Sequence, residues 1–370
     1  MTGFSSRKRP VWLLAAVAAT APMGAPHSAE PAEGRPQVTA DGVAHLPAMT
    51  VPPSKFMSGE ARKRFMQLFS NPEPSPPPDA DIRQVREFDE RKNAPYVARA
   101  RELYPVTIEE RTIGGVRAQV ITPKGGVAPA NRKRVLINLH AGAFLWGEGN
   151  GAKAESIPIA AVAKIAVVTI AYRMGPEAKF PAASEDVASV YRELLKDRRA
   201  ADIGIYGCSS GGVLAAQSIA WFQKVNLPMP GAIGTFCGSA VALGGDSSRV
   251  APVLVGELPL ADSGSLKSVP YLSEASPSDP LVFPANSTAV LARFPPTLLI
   301  AGSRDFTVSS LFAAQAALTN AGVEAELHVW DGMWHAFFFD PDLPESQEVY
   351  RVVARFFDRH LGNHRDSHPQ

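Results

Sequence analysis

The sequence predicts an α/β fold: a mostly parallel eight-stranded sheet with helices on both faces. Three observations lead there. Short apolar runs alternate with longer helical stretches from residue 107 to residue 360. Residues able to do chemistry sit just past the ends of several of those runs, where such sheets bind their ligands. A chain of 370 residues, 45% of them hydrophobic, can also fill one large core.

Taken in order, the chain opens with Arg7, Lys8 and Arg9, an apolar stretch over 11–21, and then small residues. That is the layout of a secretory signal, taken as residues 1–29, and it implies an exported mature protein, periplasmic or secreted. No cysteine lies in the first 200 residues, which excludes a lipid-modified N-terminal cysteine. Residues 30–55 are rich in Pro, Ala and Gly and read as a flexible leader. Within 56–104, a helix is expected over 58–69, with Phe65, Met66 and Phe69 as its apolar residues. Asn71 to Pro78 carries five prolines and makes a stiff connector. A second helix is expected over 81–103, opened by Asp81 and Gln84 at capping-box spacing.

The α/β domain spans 105–362, with a tail at 363–370. Its strands are expected near 107–113, 116–122, 134–139, 166–171, 202–206, 231–237, 296–301 and 325–330. Its helices are expected near 152–163, 183–196, 210–224, 308–321 and 345–360. Residues 240–292 are Ser- and Pro-rich with little periodicity and are expected to form a pocket wall.

The chemistry concentrates at four places. Gly207-Cys208-Ser209-Ser210-Gly211 lies between a strand and a helix that starts with small residues. The glycines permit the sharp turn that exposes a nucleophilic serine near a helix N-terminus. Upstream, the 134–139 strand runs into His140-Ala141-Gly142-Ala143-Phe144, where backbone N–H groups can meet an oxyanion. Downstream, Asp305 follows the 296–301 run. Last, His335 follows the 325–330 strand, and of the eight histidines it alone sits in a loop downstream of Asp305 after a terminal strand. The order Ser209, Asp305, His335 fits a nucleophile, an acid that orients the base, and the base. Trp146 and Trp334 flank these loops as pocket-wall candidates.

On these motifs the chain resembles the hormone-sensitive-lipase-like family of α/β-hydrolases, of bacterial carboxylesterase type. The family's His-Gly-Gly-Gly appears as His140-Ala141-Gly142-Ala143, and its Gly-Asp-Ser-Ala-Gly-Gly as Gly207-Cys208-Ser209-Ser210-Gly211-Gly212. A further family stretch appears as Tyr172-Arg173-Met174-Gly175-Pro176-Glu177, with Phe180-Pro181 and Asp186. The resemblance implies an α/β-hydrolase fold over 105–360. It implies a helical cap formed by the 56–104 helices, with 240–292 as its second segment. It implies an oxyanion hole made by the N–H groups of Gly142, Ala143 and Ser210, with Phe144 at the substrate. The activity implied is hydrolysis of small to medium uncharged esters through an acyl-enzyme. The same triad also serves lactonases, amidases and acyltransferases, and a non-catalytic ligand-binding relative shares the fold. The chain departs from the pattern at Ala141, Ala143, Cys208 and Ser309, where a second acid often stands. Of the two alanines, Ala141 is expected to narrow backbone freedom and reshape the pocket.

Charge excludes other classes. Lys and Arg number 37 against 36 acids, with no run of one sign, so no nucleic-acid surface is expected. No stretch reaches the roughly 18 apolar residues of a membrane span, so no stable membrane anchor is expected. Cys208 and Cys237 are read as two separate buried thiols. No spaced Cys/His cluster offers a metal site, and the expected chemistry needs no cofactor. The partner implied is a small-molecule ester.

Overall fold

The computed structural model describes residues 34–77, 79–259 and 266–362. The signal segment 1–29 and the tail 363–370 lie outside the described residues. The leader proves partly structured. Strands β1 (Gln37–Val38) and β2 (Ala44–His45) pair as a small hairpin, with Gly42 taking the positive φ its turn needs. Helix α1 (Gly59–Ser70) is capped by the Ser58 side chain, and α2 (Ile82–Leu103) by Asp81, the latter as the sequence suggests.

The domain then follows the expected alternation. Its elements are β3 (Val106–Ile113), β4 (Val116–Pro123), β5 (Val135–Leu139), α3 (Asn150–Ala163), β6 (Ala166–Ile170), α4 (Ala182–Leu194), β7 (Ile203–Cys208), α5 (Ser210–Lys224) and β8 (Ala232–Phe236). After these come the short helices α6 (Ser247–Val250) and α7 (Thr288–Leu291), then β9 (Thr297–Arg304), α8 (Val308–Asn320), β10 (Ala325–Trp334) and α9 (Pro344–His360). Strands β3 to β10 form one sheet in the order β10-β9-β8-β7-β5-β6-β4-β3. The β3–β4 and β4–β6 pairs are antiparallel and the rest parallel.

The pleat divides the core. On β5, Val135, Ile137 and Leu139 face one layer and Leu136 the other. The first layer packs against α4, α5 and α8, and the second against α1, α2, α3 and α9. Both faces are therefore covered, which is why the central strands read as unbroken apolar runs. Strands β9 and β10 run longer than their apolar runs suggest. After an irregularity, Trp334 pairs with Arg304, so Asp305 and His335 leave the sheet from paired neighbours. Among its described residues, the 240–292 segment holds only short helices, α6 and α7, and 3-10 turns.

Candidate active site

Ser209 sits between β7 and α5 at φ 56° and ψ −122°. For a residue with a side chain this is a sparsely populated backbone, of the kind held only where its surroundings enforce it. The glycines show what enforces it. A Cβ on Gly211 would lie 1.8 Å from the Leu139 carbonyl oxygen, and one on Gly207 2.3 Å from the same atom. The elbow is thus pressed directly against the end of β5, where the next loop begins.

That loop turns through three consecutive positive φ values: 118° at Gly142, 53° at Ala143 and 61° at Phe144. A Cβ on Gly142 would meet the Trp146 carbonyl at 2.0 Å, so only glycine fits. The expectation about the alanines reverses here. Ala141 is not among the positive-φ residues and costs nothing, whereas Ala143 carries the strain. The Gly142 carbonyl accepts from Leu145 and Trp146, at 2.8 and 3.0 Å. The N–H groups of Gly142 and Ala143 donate to no other described residue. Ser210, first in α5, likewise has no carbonyl of its own helix to reach.

His140 lies beneath this loop as a structural group. It is fully buried, stacked on Tyr172 with ring centroids 4.2 Å apart, and its Nδ1 lies 2.7 Å from the Ala141 carbonyl. Burial lowers its pKa to about 4, so it stays neutral. Phe144 is also buried, stacked on Tyr271 at 4.8 Å. Trp146 is half-buried. Trp334 packs against Phe65 and Phe69 of α1.

Asp305 is fully buried, and His335 Nδ1 lies 2.9 Å from its Oδ1. The N–H and hydroxyl of Thr307 donate to the same oxygen, both at 2.8 Å. Burial alone would raise the Asp305 carboxyl. The charge and hydrogen bond of His335, with the Thr307 N–H, outweigh it and hold the group below the ordinary carboxylate value. With the carboxylate accepting, the Nδ1 of His335 carries the proton and Nε2 is left as the basic atom. Among the described residues, no hydrogen bond joins the Ser209 hydroxyl to His335; catalytic bonds of this kind tighten as substrate binds.

Cys208 and Cys237 are both free and buried. Burial pushes the Cys208 thiol up to about 11 and that of Cys237 well above its ordinary value, so both remain S–H. Cys237 Sγ, an Asp305 oxygen and a His335 ring nitrogen all lie within 4.8 Å of one another.

Several residues of this region escape a reading by motif. Phe306 stacks on His335. Arg86 of α2 donates to the Leu145 carbonyl at 2.8 Å, to that of Gly175 at 3.1 Å, and with two nitrogens to Glu177. Glu155 lies under the loop, and its charge within the Ala- and Ile-rich α3 was the available signal. The family stretch explains itself structurally: Glu177 receives Arg86, and Asp186 receives Arg173 at 2.9 Å. Ser309 exchanges two 3.0 Å bonds with Ser247, tying α8 to α6.

The α/β-hydrolase family is matched over residues 136–339, which holds the whole constellation from His140 to His335. The chain belongs to the α/β-hydrolase-fold family. It is 29% identical to an acetyl-hydrolase of Streptomyces hygroscopicus over 238 residues, covering 62% of this chain and 77% of that one. It is 28% identical to an esterase of Acinetobacter venetianus, covering 68% of this chain and 82% of the relative. Among solved structures, an esterase matches at a TM-score of 0.72 and 28% identity, over 86% of this chain and 98% of its own. An esterase of the bacterial hormone-sensitive lipase family shares the fold at a TM-score of 0.70 and 24% identity, over 82% of this chain and 99% of its own. Among the described residues, no helix of this α/β-hydrolase is long and apolar enough to cross a membrane.

Proposed function

We propose that this α/β-hydrolase is a serine carboxylic-ester hydrolase that cleaves small to medium uncharged esters through an acyl-enzyme. One observation carries the reading: the 2.9 Å contact between His335 Nδ1 and the buried Asp305, in a chain whose only Gly-x-Ser-x-Gly bears a strained Ser209. The esterase and acetyl-hydrolase relatives support it.

In this reading His335 Nε2 takes the proton from the Ser209 hydroxyl as its oxygen bonds to the ester carbonyl carbon. Asp305 holds the imidazole tautomer and stabilises the imidazolium. The N–H groups of Gly142, Ala143 and Ser210 receive the oxyanion, at positions where they have no competing acceptor. His335 then gives its proton to the departing alcohol, and water releases the acyl group by the same relay. Trp146 lines the pocket, while Phe144 and Trp334 shape it from behind. Export after loss of residues 1–29 belongs to the same proposal, and N-terminal sequencing of the secreted or periplasmic protein tests it.

The deciding experiment is hydrolysis of p-nitrophenyl esters, from acetate to long chains, by the mature protein and by Ser209→Ala. Turnover of short chains that vanishes in the variant is the expected result. Turnover only of long chains points to a lipase. None on any chain points to lactones or amides. Equal turnover by both proteins overturns Ser209 as nucleophile.

A further inference from the structure

Glu155 is the only acidic residue of α3, and it is 2% exposed, on a helix whose neighbours Ala154, Ile157 and Ile159 are core residues. A carboxyl is buried in such surroundings only where hydrogen bonds offset its lost hydration. Two donors bond to it. Its Oε1 accepts from the Ala141 N–H at 2.7 Å. Its Oε2 accepts from the Asn138 side chain at 3.0 Å, and Asn138 in turn accepts from the Thr169 hydroxyl on β6 at 2.7 Å. The Cys208 N–H lies near the same carboxyl and favours its charged form.

The placement of these donors is informative. Ala141 directly precedes Gly142, and Cys208 directly precedes Ser209. The β5–β7 ladder ends at the Leu139–Gly207 pair. Beyond it the two segments diverge, one into the loop of positive φ and the other into the elbow. No sheet bond holds them together there, although an oxyanion hole built from both must keep its donors about 3 Å from one developing charge.

We propose that Glu155 is a positioning residue: its carboxyl, bonded to Ala141 and Asn138 and lying beside the Cys208 N–H, fixes the Gly142–Ala143 donors relative to Ser209 and Ser210. This rests on the ester-hydrolase reading above. Glu155 acts through its neighbours' backbones and does not touch the substrate.

The test compares the full mature protein with Glu155→Gln, which keeps the volume but turns an N–H₂ toward donors. The concentration of competent sites is set by titration with a p-nitrophenyl phosphonate, so a loss of folded protein does not mimic a loss of rate. The expected result is a kcat per titrated site about tenfold to hundredfold lower, with KM within about twofold, since misplaced donors weaken only the transition state. Affinity for a trifluoromethyl ketone, whose adduct carries an oxyanion, should fall by the same factor as kcat/KM. Unchanged kcat per site, or a fall in kcat without weaker ketone binding, overturns the proposal. If Glu155→Gln does not fold, Asn138→Ala carries the test. It removes one of the two bonded donors and should lower kcat about threefold to tenfold, and an unchanged kcat overturns the proposal. An unmutated protein inactive on every ester removes the hydrolase reading and this proposal with it. Full activity in the variants removes this proposal alone.

Discussion

Phe306 lies against the His335 imidazole, with ring centroids 4.5 Å apart and planes 27° from parallel. Asp305 holds the same ring at Nδ1. A hydrogen bond alone leaves an imidazole free to swing about the bonded edge, and an aromatic face removes that freedom. Phe306→Ala should therefore lower kcat about threefold to tenfold with KM little changed, and Phe306→Tyr should restore most of the loss. Steady-state kinetics on a short-chain ester decide it. Equal loss in both variants would mean that the ring serves only packing.

The Asp305 carboxylate faces three N–H and O–H donors but only one of them belongs to the proposed base. Asp305→Asn preserves shape but removes the charge that stabilises the imidazolium, and an amide N–H₂ turned toward His335 donates where Nδ1 must donate, so His335 loses the tautomer that leaves Nε2 basic. The expected fall in kcat is about 10⁴-fold. Ser209→Ala should be at least as severe, and the double variant no worse than the more severe single one, because the groups act as a unit. Additive losses in the double variant would argue that Asp305 acts on folding and not on His335.

The parts of this molecule that follow from local pattern were legible in its sequence. All eight strands of the main sheet and the five domain helices lie where apolar periodicity puts them, within a few residues. Ser209, Asp305 and His335 could be singled out because each follows a strand end. What escaped reading depends on tertiary contact. Phe306 and Arg86 carry no motif, and their roles arise from neighbours 29 and 59 positions away. The alanine expectation reversed for a similar reason: which of Ala141 and Ala143 bears a positive φ is decided by how the loop packs on Trp146, not by residue type. Phe144 looked like a pocket residue from its place in the motif, yet its stacking on Tyr271, 127 residues away, puts it in the core.

Arg304, next to Asp305, is a buried cation that among the described residues bonds only to carbonyls. It donates to Pro52 at 2.8 Å and to Leu254 at 3.2 Å, and its guanidinium lies 4.9 Å from the Phe65 ring. One side chain thus gathers the leader, α1 and the segment after α6 beside the candidate site. Arg304→Met keeps the packing stem and removes both bonds. It should destabilise this docking by about 1–3 kcal/mol and raise KM more than it lowers kcat. Limited proteolysis should cut faster between residues 52 and 70. Unaltered cleavage there would show that the contact does not hold the segment.

Asp89 of α2 gives the clearest pH dependence. Its Oδ1 accepts from Asn93 at 2.9 Å, while its Oδ2 is buried with no partner among the described residues. Burial first, and then the neighbouring Glu90, raise its pKa from 3.8 to about 6. The unfolded chain releases this proton near its ordinary value, and the folded chain retains it longer. The stability linked to Asp89 is therefore fully present below pH 3.8 and is lost as pH rises through about 6. At pH 7 the charged group then destabilises the fold by an amount of order 1–3 kcal/mol. Asp89→Asn cannot ionise and escapes the loss. Its Tm should match that of the unmutated protein near pH 4 and exceed it by a few degrees at pH 7, as measured by calorimetry across that range. A Tm difference that stays constant with pH would mean that Asp89 is already ionised in the folded protein at pH 4.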